Sequence, residues 1–302
     1  MPLLAFMPQT LAPSIGKDRR PEGFLITYAA KIQADEAVLM APRADGALRL
    51  SAKRRGHDTV IADLRQEGSL KALFPKVRGK ALDAVFLNTA GGLTGGDRIS
   101  IEMEAQERAH IIVSSQAAER AYRAQPGQVA EAKVSLRIAK GGRIDWLPQE
   151  TILFDQAAIS RKLDVDLAGD ATALLVEPIV FGRAAMGEAV TQLSLMDHWR
   201  VRRDGALVFA DAVRLQGNAK KQMLHRAIGK GAGAVATILL AGPSAEVCAG
   251  ALDVSGDSGC SLIAEDLLLV RLLARDGFEL RRQMIPVVEA LATAPIPRVW
   301  RL

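Results

Sequence analysis

Apolar and polar side chains alternate with a period of two along much of this chain. Residues 159–167, with the sequence ISRKLDVDL, place Ile159, Leu163, Val165 and Leu167 on one face and polar side chains on the other. A helix of the same residues would mix the two kinds of side chain on its faces. The segment therefore predicts a β-strand in a sheet with one side in contact with solvent.

Short segments of this kind follow one another from about residue 24, separated by glycine, proline and charged turns. Besides 159–167, we expect strands at residues 24–30, 59–64, 82–88, 99–104, 110–115, 132–138, 172–177, 193–201, 206–213 and 234–240. The last, AVATILL, is continuous enough in apolar residues to be buried on both sides. The sequence thus predicts a mainly β protein, with a large single β-rich domain of many short strands and a few helices.

Four segments predict the helices. Residues 114–124 are rich in helix formers, and residues 218–231 carry an apolar stripe that ends at a glycine. Residues 243–253 begin with proline and a small hydroxyl residue, which is a good start signal. Residues 276–292 set apolar side chains at steps of three and four, although Pro286 should kink or restart that helix.

The amino end, residues 1–22, reads as a flexible tail. It lacks basic residues before its apolar part and is broken by prolines, so it makes a poor secretory signal. We find no fixed-period repeat and no long linker, so residues 23–302 are expected to form one domain. No apolar run is long enough to predict a membrane span. Cys248 and Cys260 suggest neither a disulfide framework nor a zinc site, which favours a cytoplasmic location.

Composition narrows the functional classes only a little. The chain has 302 residues and a formal net charge of +5, which favours an acidic partner, nucleic acid or an anionic membrane. The densest basic run is only residues 53–55, and aromatic residues make up 4% of the chain, which leaves little material for base stacking. We expect no nucleic acid and no membrane as partners, and keep a nucleic-acid-binding β-rich module as an alternative.

A glycine-rich stretch, residues 88–99, resembles a phosphate-binding loop at first sight. Such a loop needs a lysine and a hydroxyl after its last glycine, but Asp97 and Arg98 stand there. A strand rather than a helix is predicted to follow. We interpret the four glycines as a loop between two strands that needs positive φ, with direct ligand contact as the alternative. They are Gly91, Gly92, Gly95 and Gly96.

Residues suited to catalysis or to stable metal binding are sparse. The four histidines are scattered, with no pair at i and i+4, and no serine lies in a G-x-S-x-G motif. We therefore expect no catalytic residues and no tightly bound cofactor. A carbohydrate-active enzyme on a β scaffold stays an alternative, since it needs only two opposed carboxylates.

Several carboxylates flank apolar runs. Glu150 and Asp155 bracket TILF, while Glu177 and Glu188 bracket PIVFGRAAMG. An acid beside a buried run is unusual unless it is paired or lines a wet cavity. Nearby arginines at 161 and 183 would permit ion pairs, and a polar passage with transient metal contact is the alternative. Oxygen ligands hold a borderline divalent metal weakly, which suits transfer better than storage.

Four segments in order resemble the urease accessory protein family UreD, also called UreH. They are GGLTGGDR (91–98), SSQAAERAYR (114–123), WLPQETILFDQA (146–157) and VEPIVFGRAAMGE (176–188), and the closing RVWRL is also similar. The likeness spans most of residues 24–302. This sequence has Thr89 and Ala90 where the family commonly has prolines, and Ser114 and Ser115 where it has threonines.

The resemblance implies a mostly β, non-catalytic scaffold for nickel delivery in a hetero-oligomer. Such a scaffold binds apo-urease and, with UreF and the GTPase UreG, supports nickel insertion, with Ni²⁺ only in transit. The GTP-binding loop belongs to UreG, in agreement with its absence here. On this basis we expect the glycines to shape a loop and five carboxylates to serve as channel or interface groups. These are Asp97, Glu150, Asp155, Glu177 and Glu188.

Overall fold

A computed structural model of the protein describes residues 42–76, 79–254 and 256–301. The expected tail at 1–22 and the expected strand at 24–30 lie outside these residues. The single domain expected from residue 23 therefore stays a prediction. Seventeen strands and three helices occur in the described part of the chain.

The strands form two sheets. The first sheet contains β1 (Asp45–Arg55), β2 (Asp58–Gly68), β5 (Arg98–Ala105), β8 (Ala130–Ile138), β11 (Ala157–Leu167), β13 (Leu193–Arg203) and β14 (Ala206–Gly217). The second contains β3 (Leu70–Leu73), β4 (Leu82–Asn88), β6 (His110–Ser115), β7 (Glu119–Ala121), β9 (Arg143–Leu147), β10 (Thr151–Leu153), β12 (Thr172–Phe181), β15 (Ala234–Ala241), β16 (Gly259–Ala264) and β17 (Leu267–Ala274). The prediction of a mainly β protein with many short strands is confirmed.

The order of strands shows how the chain moves between the sheets. The first sheet runs β14-β13-β11-β8-β5-β1-β2, and the main path of the second runs β16-β17-β15-β12-β9-β6-β4-β3. From β4 to β13 the longer strands alternate between the two sheets, and neighbours within each sheet are parallel. Parallel neighbours require a crossover. Here the crossover from one strand to the next includes a strand of the other sheet.

Two apolar cores result. The larger lies between the facing sides of the two sheets and includes Leu163 from β11 and Leu175 from β12. The smaller lies on the other face of the second sheet, where Leu174 and Val176 pack with residues of two helices. Strand β12 is therefore buried on both faces, whereas β11 keeps the solvent-facing side that its sequence predicts.

The helices differ most from expectation. Helix α1 (Ala219–Met223) occupies only the start of the predicted 218–231 segment, and its first turn is capped by the Asn218 side chain. Helix α2 (Ala245–Ala251) lies within the predicted 243–253. Helix α3 (Gly277–Leu291) is capped by Asp276 and continues through Pro286 without a restart. Among the described residues, no helix is both long and apolar enough to cross a membrane.

The helix predicted at 114–124 is wrong. Strand β6 continues to Ser115, and β7 follows at once. The backbone N–H groups of this segment donate to distant carbonyls: that of Gln116 to Phe86, that of Glu119 to Glu150 and that of Tyr122 to Leu93. These distant carbonyls satisfy the hydrogen-bonding needs of the segment while it is extended. Helix propensity depends on local sequence alone, so it could not predict these hydrogen bonds.

Candidate functional site

The glycine-rich loop connects β4 to β5 and packs closely on β7 and the segment that follows it. Gly91, Gly92 and Gly96 have φ values of 76°, 146° and 90°. A Cβ at Gly92 would lie 2.7 Å from the Arg120 carbonyl oxygen. At Gly95 it would lie 2.8 Å from the Ala124 Cβ. The glycines thus permit both the turn and the close approach.

The buried carboxylate of Asp97 holds this loop together by hydrogen bonds to its backbone and to the start of the described chain. Its carboxylate is only 4% exposed and accepts hydrogen bonds from the backbone N–H groups of Ala44, at 2.8 Å, and Thr94, at 2.7 Å. Three of the other expected carboxylates also hold loops. Glu150 pairs with Arg281 of α3 at 2.9 Å, which joins the WLPQE segment to that helix.

Asp155 and Glu188 lie together where two loops meet. The N–H of Asp155 donates to Glu188 Oε1 at 3.2 Å, and Arg183 pairs with Glu188 at 2.8 Å. Burial raises the pKa of Asp155, but hydrogen bonds from the backbone N–H groups of Gln192 and Thr191 and from nearby side chains together lower it below its usual value. The hydrogen bond from Arg183 lowers the pKa of Glu188. Both side chains are therefore carboxylates that stabilise loops at neutral pH.

Glu177 alone of the five lies in a charged cluster between the sheets. Its Oε2 accepts from Arg161 Nη1 at 2.9 Å, and its Oε1 accepts from Trp146 Nε1 at 2.9 Å. Arg161 also donates to Thr151 Oγ1 at 3.0 Å and forms an ion pair with Asp197. Arg161 and Asp197 are paired neighbours on β11 and β13, while Glu177 comes from β12. The cluster therefore bridges the two sheets across the larger core.

The electrostatics of this cluster follow from its burial. Burial raises the pKa of Glu177, and Arg161 lowers it only in part. Burial lowers the pKa of Arg161, but Asp197 and Glu177 together raise it above its usual value. One guanidinium therefore stays charged between two carboxylates. When both carboxylates are ionised, the cluster carries one more negative charge than the guanidinium balances.

A cavity of about 70 Å³ adjoins the cluster. Its walls are mostly apolar and include Phe86 and Trp146, whose rings stack with centroids 5.5 Å apart. Its polar lining includes Arg161, Glu177 and Glu119. Arg161 Nε is buried and makes no hydrogen bond to the described residues. The cavity is large enough for a few water molecules or a hydrated ion.

Glu119 lines the same cavity beside the glycine-rich loop. Burial raises its pKa to about 7, and a hydrogen bond from Asn88 opposes this rise only in part. Asn88 also donates to the carbonyl of Gly92 at 3.2 Å, so it joins Glu119 to the loop. This carboxyl group changes charge near neutral pH in a partly apolar space.

Two residues of this site, Asp197 and Glu119, were not predicted from the sequence, and Arg161 was expected only as a possible ion-pair partner. Arg161 and Asp197 each occupy a core-facing position of a strand that otherwise alternates regularly. A charged residue in the buried phase of such a strand was the signal that could have found both. Glu119 was hidden by the wrong helix prediction. Among the described residues, no three His, Cys, Asp or Glu side chains are grouped closely enough to hold a metal ion.

Comparison with known proteins matches this chain to one family. The family model described as UreD urease accessory protein matches residues 44–301. A urease accessory protein UreD of Roseobacter denitrificans is 45% identical over 263 residues, covering 86% of this chain and 96% of that protein. The UreD of Rhizobium rhizogenes is 45% identical with the same coverage, and the UreD of Ruegeria pomeroyi is 41% identical over 257 residues, covering 84% of this chain and 100% of that protein. The chain therefore belongs to the UreD urease accessory protein family.

Proposed function

We propose that this chain is a non-catalytic scaffold for nickel delivery in the cytoplasm. It binds apo-urease and, in a hetero-oligomer with UreF and UreG, supports the insertion of Ni²⁺ into the urease active site. Membership of the UreD family supports a role in urease maturation. The observation that carries the nickel step is the pair of carboxylates, Glu177 and Asp197, around Arg161 between the sheets.

A cation that passes through this interior needs polar donor atoms, because an apolar wall cannot replace its water shell. Glu177 and Asp197 offer carboxylate oxygens, and the cavity has room for water. Arg161 pairs with both carboxylates, which holds them in place between the sheets. Oxygen donors release Ni²⁺ more readily than imidazole or thiolate ligands, as transfer requires.

The other four carboxylates have a different part in this proposal. Asp97, Glu150, Asp155 and Glu188 each hold a loop or a helix by named hydrogen bonds. We assign them to shaping the loops that meet protein partners rather than to the passage. Carbohydrate chemistry at this cluster is disfavoured, because the adjoining cavity of about 70 Å³ is far smaller than a typical ligand pocket.

Co-expression tests the scaffold role. The tagged chain is produced with the urease structural subunits, UreF and UreG from the same source, and the preparation is repeated without the chain. We expect apo-urease and UreF to be retained on the tagged chain, and nickel content and urease activity to be lost without it. A chain that purifies alone and leaves activation unchanged would contradict the proposal.

A charge-removal variant tests the nickel step separately. The triple variant Arg161→Met, Glu177→Gln and Asp197→Asn replaces the buried ions with neutral side chains of similar size, which protein folds often tolerate. We expect it to retain its partners but to deliver much less nickel. The control is Asp164→Asn, which removes a carboxylate from the solvent-facing side of β11. Equal nickel content in the two preparations would exclude a role for the cluster.

A further inference from the structure

Three large apolar side chains are exposed on the loop after β12 and on the segment that follows α1. Neither segment takes part in the proposed nickel step. Met186 is 75% exposed on the loop after β12, Leu224 is 63% exposed directly after α1, and Ile228 is 50% exposed on the turn that follows. Single exposed apolar residues are common on protein surfaces, but a group of them around a cavity is typical of an interaction site.

A groove of about 310 Å³ lies between these segments. Phe181 and Val190 line it on the side of β12 and its loop, and Met223 and Leu224 line it on the side of α1. Residues on both sides of Met186, including Ala184 and Gly187, also contribute to its wall, which places the loop that carries Met186 at the rim.

The loop that carries Met186 is fixed by its own contacts. Arg183 and Glu188 close it with an ion pair at 2.8 Å, and the N–H of Arg183 donates to the same carboxylate at 3.1 Å. The Arg183 guanidinium lies 4.4 Å from the centre of the Phe154 ring. Gly187 takes the left-handed conformation that ends the short turn. These contacts hold both ends of the loop that carries Met186, which reduces the entropy lost on binding a partner.

The segment that forms the other rim of the groove is basic, and Lys220 lines the groove itself. Residues 218–230 include four Lys or Arg residues and no Asp or Glu. Lys230 pairs with Asp257, whereas Lys220, Lys221 and Arg226 form no ion pair within the described part of the chain. An acidic partner would therefore meet uncompensated positive charge beside an apolar groove.

We propose that this groove docks an acidic amphipathic helix of a partner protein. Its apolar side chain enters between Met186 and Leu224, and its carboxylates lie over Lys220, Lys221 and Arg226. Strand addition does not fit this place, because β12, which ends at Phe181, is already hydrogen bonded on both sides. A helix in a groove uses apolar anchors and charged flanks of this kind. The inference rests on the proposed function, since the partner is one of the proteins that assemble with this chain for urease maturation.

The test uses the co-expressed complex and a variant confined to exposed side chains: Lys220→Glu, Lys221→Glu and Leu224→Asp. The matched control is Lys71→Glu, Leu73→Asp and Lys76→Glu, which makes the same changes at other exposed positions. Loss of the apolar Leu224 side chain and reversal of charge at Lys220 and Lys221 should weaken retention of one partner roughly tenfold or more. The control should retain all partners, and thermal unfolding should show both variants folded.

A photo-crosslinking residue at position 186 identifies the occupant. We expect the cross-linked peptide to be an acidic segment with helical apolar periodicity. A cross-link only to a basic or non-helical segment, or equal partner retention by the variant and its control, would overturn the inference while the wild-type complex still supports the proposed function. A wild-type chain that retains no partner at all would overturn both.

Discussion

Arg161 Nη1 lies 2.9 Å from Glu177 Oε2, and the two residues belong to different sheets. Because Asp197 pairs with the same guanidinium, one buried cation holds two buried anions. This relationship makes Arg161 an electrostatic link across the larger core. Its removal tests how strongly the two sheets depend on that link.

Arg161→Met alone should be much more harmful than removal of all three charges. The single change leaves Glu177 and Asp197 buried without the cation that pairs with both, which should lower the free energy of unfolding by about 3–5 kcal/mol. The triple neutral variant described above should lose far less. Urea denaturation of the three proteins measures the difference. A loss below about 1 kcal/mol for Arg161→Met would mean that solvent already screens the cluster.

Glu119 should make the stability of the protein depend on pH near neutrality. Its pKa in the folded protein is about 7, above the ordinary value of 4.5. Between these values the folded state binds more protons than the unfolded state, so the contribution of Glu119 to stability falls as pH rises through this window. The effect reaches at most about 3 kcal/mol at higher pH.

Glu119→Gln should remove this part of the pH dependence and raise stability most above pH 7. Urea denaturation at a series of pH values compares the variant with the wild type. Glu104→Gln, on the exposed face of β5, is the control and should leave the slope with pH unchanged. A parallel pH dependence in the wild type and Glu119→Gln would show that this carboxyl group titrates normally.

The strands could be read from the sequence because period-two alternation is a local property. Residues 159–167 illustrate both the success and its limit. The face with Ile159 and Leu163 is buried and the opposite face is wet, as predicted. The pattern does not reveal that β11 is parallel to both neighbours, because that depends on the path of the chain through the other sheet.

The site was harder to predict for a physical reason. Glu177 was predicted as a site residue because an acidic side chain beside a buried apolar run must be paired or in contact with water. Its partner Arg161 was considered only as a neighbour in sequence, and Asp197 was not considered at all. The pairing of Arg161 with Asp197 depends on which strands are adjacent in space. Local periodicity determines which face of the sheet a side chain is on. Which side chain lies next to it on the neighbouring strand depends on the strand order.

Gly92→Ala should disrupt the loop between β4 and β5. A Cβ at this position would lie 2.7 Å from the Arg120 carbonyl oxygen and overlap the Tyr122 ring, in addition to the strain of a φ of 146°. We expect a loss of several kcal/mol, of order 3, in the free energy of unfolding.

Gly91→Ala is the matched control within the same loop. Gly91 also has positive φ, but among the described residues no atom beyond its chain neighbours would lie within 4 Å of an added Cβ. Its loss should be only about 1 kcal/mol, from backbone conformation alone. Thermal or urea unfolding compares the two variants. Equal losses in the free energy of unfolding would show that the positive φ of residue 92 requires glycine there, rather than its contact with β7 and the segment after it.

Trp300 should be essential to hold the end of the chain on the second sheet. Its side chain is 1% exposed, and its Nε1 donates to the Leu147 carbonyl at 2.9 Å. Arg281 donates to the Trp300 carbonyl at 3.2 Å and pairs with Glu150. The end of the chain, helix α3 and the WLPQE segment therefore share one set of contacts.

Trp300→Ala should lower the free energy of unfolding by about 3–5 kcal/mol, because it removes a large buried ring and leaves a cavity. Arg301→Ala is the control. The Arg301 side chain is 61% exposed and, among the described residues, pairs only with Glu289, at 3.5 Å. Arg301→Ala should therefore change the free energy of unfolding by no more than about 0.5 kcal/mol. Urea denaturation measures both. If Trp300→Ala unfolded at the same urea concentration as Arg301→Ala, the last residues would be dispensable to the fold, and Glu150 would need another source of order.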